Sequence, residues 1–337
     1  MQILEIKFFS LLIKKSYIYG KFRVLTFLNK IDFSYLKNLS GKKFLITGGD
    51  GMLGSSFLHQ LKINVKNPEI YCFNRLELDV SDSLSFEKYE NLKPDFIIHC
   101  ASLVNADLCE KDKEKGRLNI LEGTKNVINF AKINNSKVFY PQSFLIYNDT
   151  NKLIDENTIP RPLSEYGNLK LEAENIVLNS SDNSISVRMG GFFGGEEKDN
   201  NFIGKVASHI SKLIKQGEKQ MEIGDRVWQP TFTNDLAYNS LILLANNKNG
   251  IYNMASHGSC SFYDLTNELL MLLNLQKKFS VSRISAEILS KREVARRPLS
   301  VIMINSRLKQ ENLDRQRNWK NSLKDYLQKQ YFNNLFA

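Results

Sequence analysis

Cysteine is scarce in this sequence and never closely spaced. Cys72, Cys100, Cys109 and Cys260 form no Cys-x-x-Cys pair, which removes the usual zinc and disulfide frameworks and points to a reducing, cytoplasmic compartment. The four histidines show no ligand spacing either, so no metal site is expected. A long apolar run is also missing. The patch of Phe8, Phe9, Leu11, Leu12 and Ile13 is broken by Ser10 and stops at Lys14 and Lys15, far short of the ~20 residues a membrane span needs. No small-residue cleavage site follows it, so neither an integral membrane segment nor a secretory signal is read. The net charge of +10 is not spread evenly. Nine basic residues up to position 43 (Lys7, Lys14, Lys15, Lys21, Arg23, Lys30, Lys37, Lys42 and Lys43) face only Glu5 and Asp32. The remainder therefore lacks the basic surface that a nucleic-acid partner would require.

What the chain does have is length and apolar content: 337 residues, 42% hydrophobic, enough for one large α/β domain with a smaller lobe. Residues 1–41 read as a basic, aromatic extension, either an extra element packed outside the domain, a leader, or a surface anchor. From Lys43 onward, apolar runs at 44–46, 69–73, 95–100, 137–141 and 184–189 alternate with longer polar and amphipathic stretches. That alternation predicts a parallel, doubly wound α/β sheet. Between Asp107 and Asn134, the residues Ile120, Val127, Ile128 and Ala131 recur near helical spacing and predict one long crossover helix. The pattern loosens after Gly191. Residues 42–190 are thus read as the nucleotide-binding domain, and 191–337 as mainly a substrate lobe with segments returning to the sheet.

The first strand ends in a loop with glycines at 48, 49, 51 and 54, followed by a helical pattern from Met52 to about Lys62. Such a loop permits a tight turn, close approach of a pyrophosphate, and an anion seat on the helix N-terminus. Thr47, Gly48, Gly51, Met52, Leu53 and Gly54 are the expected cofactor contacts. The TGxxGxxG form resembles the extended branch of the short-chain dehydrogenase/reductase superfamily, which implies a Rossmann-type NAD(P) site. At the end of the second strand stand Asn74 and Arg75 where an NAD site usually places an acid. An arginine can pair with a 2′-phosphate, so NADP is favoured and NAD is the alternative. Asp79 and Val80 resemble the family's adenine-contacting pair, and the small Ala101 and Ser102 after the third strand leave room for the cofactor.

Tyr166 and Lys170 stand four apart, which puts both on one helix face. A neighbouring ammonium favours the phenolate, so Lys170 is expected to lower the tyrosine's pKa and to reach the nicotinamide ribose. Tyr17 with Lys21 and Tyr89 with Lys93 share that spacing. Only Tyr166 opens a helix shortly after the fourth strand, whose end carries Ser143. Ser143 would polarise a carbonyl oxygen and Tyr166 would protonate it.

Later segments narrow the likeness. Gln229–Ala237, Gly250–Ser256, Arg296–Ser300, Asn305–Leu308 and Asn318–Leu327, with Asp107 and Glu110, resemble dTDP-4-dehydrorhamnose reductases in order and spacing from about 42 to 330. Asn119 matches the family's Asn-x-x-x-Gly-Thr. The resemblance implies a reductase of a nucleotide-linked 4-keto-6-deoxysugar in surface-polysaccharide precursor synthesis, in keeping with a homodimer. An NAD-dependent epimerase and a non-catalytic, cofactor-binding partner subunit are the alternatives. It places Val104, Asn105, Arg188, Thr231, Arg296 and Arg297 on the substrate side. Three departures stand out: Phe144 after Ser143, Val104 before the Asp-x-x-Glu, and Gly191 where the family has tryptophan. They are expected to remove polar groups from one pocket wall, open space on the other, and disfavour dTDP-4-dehydrorhamnose as substrate.

Overall fold

The computed structural model describes residues 33–150, 152–180 and 183–337. The reading of residues 1–41 as an extension lies outside these up to position 32. Phe33–Leu39 forms a 3-10 turn in which Leu36 and Leu39 are buried.

Six parallel strands form the central sheet: β1 (Lys43–Thr47), β2 (Glu69–Phe73), β3 (Phe96–His99), β4 (Lys137–Ser143), β5 (Ile185–Met189) and β6 (Gly250–Met254). Their spatial order is β6-β5-β4-β3-β1-β2. The first five coincide with the apolar runs of the sequence to within two residues at either end. In β1, Phe44 and Ile46 enter the core on one face while Leu45 enters the core on the other. Both faces are covered, which is why the run is continuously apolar. No strand forms between β2 and β3. Ser83–Tyr89 makes a 3-10 turn instead, with Phe86 tilted against Phe130 at 5.3 Å. The chain therefore leaves β1 for β2 on one side and returns to β3 on the other, opening a crevice above the carboxyl ends of β1 and β3.

Helices α1 (Met52–Asn64), α2 (Gly123–Asn134), α3 (Glu165–Ser180), α4 (Phe202–Lys215), α5 (Thr233–Ala245), α6 (Phe262–Leu272) and α7 (Trp319–Leu327) complete the layers. α1 and α5 share one core with the sheet, and α2 and α3 the other. A third core, built from α4, α6 and α7, lies in the C-terminal part of the chain. The expected single crossover helix is broken. It runs as Ala106–Lys111, Lys113–Arg117, a π-helical turn at Leu118–Glu122, and α2. Asp112 stops the first piece by capping the next, its carboxylate accepting from the Lys115 N–H at 2.9 Å. No helix among the described residues is long and apolar enough to cross a membrane. None of their acidic, cysteine or histidine side chains cluster as a metal site.

α3 and β5 are joined by a buried ion pair. Arg188 Nη2 lies 2.8 Å from Glu174 Oε2, with side-chain exposures of 4% and 1%. Its Nε also donates to Glu174, its Nη1 donates to the Tyr147 hydroxyl at 2.9 Å, and the Ser186 hydroxyl donates to Glu174 at 2.7 Å. This corrects the expectation that Arg188 faces the substrate. An arginine inside a strand buried on both faces must be neutralised where it stands, and Glu174 does so. Removing one partner of such a pair leaves a buried charge alone. Glu174→Ala is expected to lower the unfolding free energy by about 3 kcal/mol or more, read from the denaturation midpoint.

Candidate active site

The crevice begins at Gly48, whose φ of +64° turns the chain out of β1. A Cβ here would come within 2.8 Å of the Ala101 nitrogen, and one at Gly54 within 2.3 Å of the Gly48 carbonyl, so α1 packs directly on the loop. Gly49 is equally constrained, since its Cβ would sit 2.2 Å from Cys72 Sγ. Gly51 caps α1 with no side-chain hydrogen bond, leaving the first-turn N–H groups of the helix, from Met52 onward, for an anion. Leu53 is buried in the core, and Met52 packs against Gly195.

Thr47 was expected to touch the cofactor, but its side chain is fully buried and turned inward. The Ala101 N–H donates to Thr47 Oγ1 at 3.1 Å, and Thr47 Oγ1 lies 2.9 Å from His99 Nδ1. On the far side, His99 Nε2 is 3.3 Å from Thr124 Oγ1, which donates to the Ile120 carbonyl at 2.6 Å. These partners assign the imidazole as neutral with its proton on Nε2. Burial, aided by the charge of Lys170, pushes its pKa down to about 3. The relay fixes the ends of β1 and β3 to the π-helical turn, and nothing in the sequence alone marked His99 for this.

Asn74 and Arg75 directly follow β2. Asn74 Oδ1 accepts from the Leu76 and Glu77 N–H groups, closing a turn that presents Arg75 to solvent. Arg75 Nε pairs with Asp79 Oδ2 at 3.1 Å in an exposed contact. Partial burial pushes the Asp79 carboxyl up, but hydrogen bonds from Ser81 and Arg75 outweigh it and hold it low. Val80 is buried against Gly123. Ala101 and Ser102 follow β3, and Ser102 Oγ is buried without a partner among the described residues. A bare glycine cradle, unsatisfied helix N–H groups, an orphaned hydroxyl and a solvent-facing arginine are a donor set that fits a dinucleotide phosphate.

Ser143 ends β4 and caps a short turn at Phe144–Ile146, its Oγ accepting from the Leu145 N–H at 3.1 Å. α3 opens at Glu165, where Glu110 Oε1 receives the Glu165 N–H at 2.7 Å. Gly167 lets the helix come close, since a Cβ there would lie 2.5 Å from the Leu145 carbonyl. This approach brings the Tyr166 phenol close to the Ser143 hydroxyl. Tyr166 and Lys170 do share one buried face. Their electrostatics differ from expectation: burial pushes the Tyr166 phenol up to about 12, with only the Ser143 hydrogen bond opposing. Burial likewise pushes Lys170 down to about 7, against the pull of Glu174. The ammonium donates to the Pro141 carbonyl at 2.9 Å and lies 4.0 Å from the Tyr140 ring centre, so it is not directed at the phenol. Gln142 was not singled out in the sequence. It joins the two elements, donating to the Lys170 carbonyl and accepting from the Ser143 N–H, both at 2.8 Å.

The expected substrate side is only partly assembled. Thr231 is fully buried, donating to the Gln229 carbonyl and accepting from the Ser256 N–H, a structural role that corrects its placement. Asn105 caps the Ala106–Lys111 helix through the Leu108 N–H, while Val104 is 70% exposed. Arg297 pairs with Asp107 at 3.0 Å, and Asp107 also accepts from the Ala295 N–H, which docks this loop on that helix. Arg296 is exposed. Asn119 bonds back to the Lys115 carbonyl on the helix surface. The space expected beside Gly191 is closed: a Cβ there would lie 2.2 and 2.3 Å from Cε3 and Cζ3 of Trp228, and 3.2 Å from Phe144 Cε1.

The chain resembles several characterised proteins along most of its length. It is 24% identical over 295 residues to the spore coat polysaccharide biosynthesis protein SpsK of Bacillus subtilis, covering 85% of this chain and 97% of that one. It is 24% identical over 255 residues to methionine adenosyltransferase 2 subunit beta of Xenopus tropicalis, covering 70% and 74%. The crystal structure of a dTDP-4-dehydrorhamnose reductase from Clostridium acetobutylicum superposes with a TM-score of 0.77 at 29% identity, covering 85% of this chain and 98% of that one. With residues 42–332 matched, this chain belongs to the RmlD substrate binding domain family.

Proposed function

We propose that this protein is an NADP-preferring reductase of a nucleotide-linked 4-keto-6-deoxysugar. The observation that carries the reading is the proximity of the half-buried Ser143 at the end of β4 to the buried Tyr166, with the buried Lys170 one turn further along α3, beside the glycine cradle. NADPH, when bound, supplies the hydride. The chain's own residues supply the proton and the orientation. Tyr166 keeps its phenol proton through the neutral range and gives it to the sugar carbonyl oxygen as that oxygen gains charge. Ser143 donates the second hydrogen bond that holds the same oxygen. Lys170, once released from the Pro141 carbonyl, would donate to the nicotinamide ribose. Gly48, Gly51 and Gly54 would admit the pyrophosphate, and Arg75 with Asn74 would hold the 2′-phosphate.

The sugar nucleotide class follows from the similarity to a dTDP-4-dehydrorhamnose reductase, and surface-polysaccharide synthesis from the similarity to the Bacillus subtilis spore coat polysaccharide protein. Free cysteines throughout the described residues suit a reducing cytoplasm. Phe144 and Val104, which bring no polar group where the family has one, favour a substrate other than dTDP-4-dehydrorhamnose. A second reading, a cofactor-binding subunit of another enzyme, draws on the Xenopus tropicalis relative. NADPH binding without turnover on any nucleotide-linked ketosugar would select it.

Tyr166→Phe is expected to lower kcat at least ~100-fold while NADPH binding survives, as measured by NADPH oxidation and fluorescence titration. A variant that keeps most of its turnover removes Tyr166 from this role. For the cofactor, NADPH is expected to bind more tightly than NADH, with Arg75→Asp narrowing or reversing the gap; equal dissociation constants in the wild type would sink the assignment. Across a panel of dTDP-, UDP- and GDP-linked 4-keto-6-deoxysugars, kcat/KM is expected to be highest for a sugar other than dTDP-4-dehydrorhamnose. A clear preference for that compound would make the Phe144 and Val104 replacements neutral.

A further inference from the structure

Lys170 is a buried cation without a counter-ion of its own. It is 4% exposed, and the titratable and charged groups around it come from four elements. Tyr166 and Glu174 stand on α3, His99 and Cys100 at the end of β3, Tyr140 on β4, and Arg188 on β5. Burial keeps His99, Cys100 and Tyr166 neutral through the middle of the pH range. Glu174 pulls on the lysine from one turn away, but Arg188 already engages its carboxylate through Nε and Nη2.

What meets the ammonium is an aromatic face. Lys170 Nζ lies 4.0 Å from the centre of the Tyr140 ring while it donates to the carbonyl of the next residue, Pro141, at 2.9 Å. The face of such a ring carries negative charge, and its pull on a cation grows as water is excluded. Both partners here are out of water, since Tyr140 is 2% exposed in the core shared with α2 and α3. The ring is also held in place. His99 lies tilted against it at 6.0 Å, and the pairing of Tyr140 with Ser186 fixes the strand that carries it. Its hydroxyl is buried near Thr124 and makes no hydrogen bond of good geometry among the described residues. The ring face, not the hydroxyl, is what Tyr140 offers the site.

We propose that Tyr140 is a positioning residue for Lys170: its ring face stands in for the counter-ion that the buried lysine lacks, keeping the side chain charged and held beside the Pro141 carbonyl. What this does for turnover rests on the reductase reading; the contact itself does not. An ammonium deprived of the ring loses its proton more readily, so its titration moves to lower pH. In the full-length, cofactor-free protein with lysine labelled at Cε, NMR follows the signal that Lys170→Arg removes. Tyr140→Phe is expected to keep the wild-type midpoint, and Tyr140→Leu to lower it by about one pH unit or more. A trifluorinated phenylalanine at 140 keeps the shape of the ring and depletes its face of charge. It lowers the midpoint too, and decides the matter should the leucine variant fail to fold. A wild-type midpoint in both of these variants overturns the proposal, as does a Tyr140→Phe midpoint as low as that of Tyr140→Leu. In turnover, the basic limb of the kcat/KM profile, along which Lys170 loses its proton, shifts down in Tyr140→Leu by the same amount and stays in Tyr140→Phe. A lower rate and melting temperature with the NMR midpoint and the limb both unmoved are the pattern of a packing residue, and reject the proposal. A lowered NMR midpoint with an unmoved limb keeps the contact and rejects the part given to Lys170 in the reductase reading.

Discussion

A polar stripe on a buried helix face governs the arrangement of this protein. Tyr166, Lys170 and Glu174 follow one another at intervals of four along α3, and all three side chains are almost wholly removed from solvent. Residues so spaced point the same way. A buried polar group must find a partner, and the neighbouring strands supply one for each. The Ser143 hydroxyl lies near the phenol, the Pro141 carbonyl meets the ammonium, and Arg188 with Ser186 meets the carboxylate. These partners come from β4 and β5, so α3 can slide along neither strand without losing all three contacts. The Ser143 end of α3 is thus secured by an ion pair two turns away.

Burial then sets the charge of the site. It acts on Tyr166 and Lys170 in opposite senses on the pKa scale and in the same sense physically, favouring the neutral form of each. The tyrosine is kept as an acid, and the lysine is held near the point where its proton is labile. His99, three strands into the sheet order, is neutral for the same reason. A low-charge interior of this kind makes an incoming phosphate or a developing alkoxide the largest local charge, so hydrogen-bond donors there have a strong effect.

The two sides of the crevice are organised by different means. Above β1 and β3, missing side chains matter: glycines at 48, 49 and 54 let backbone approach backbone or the Cys72 sulfur. Above β4 and β5, surplus side chains matter. Trp228 and Phe144 crowd the position that Gly191 leaves bare, and Asp107 and Glu110 from one short helix tie down the Ala295–Arg297 loop and the start of α3. The site is therefore assembled from segments far apart in the chain, each fixed by a local polar contact.

The sequence by itself determined the strands and which side chains stand at their ends. Apolar runs between polar stretches located β1 to β5, because a strand covered on both faces needs a continuous apolar segment whatever its neighbours. The glycine loop, Arg75, Ser143, Tyr166 and Lys170 were legible because each has a fixed offset from such a strand. Tertiary structure alone decided which way the remaining polar side chains face. Arg188 and Thr231 look the same in sequence whether they greet a substrate or a buried partner, and the partners Glu174 and Ser256 lie 14 and 25 residues away. The space beside Gly191 was likewise undecidable along the chain, since the ring that fills it arrives from Trp228 on a segment that sheet register does not specify. Even the Tyr166 proton depended on the fold: spacing put the lysine on the same face, but the nearer Pro141 carbonyl took its ammonium, and burial, which no spacing encodes, set the acidity.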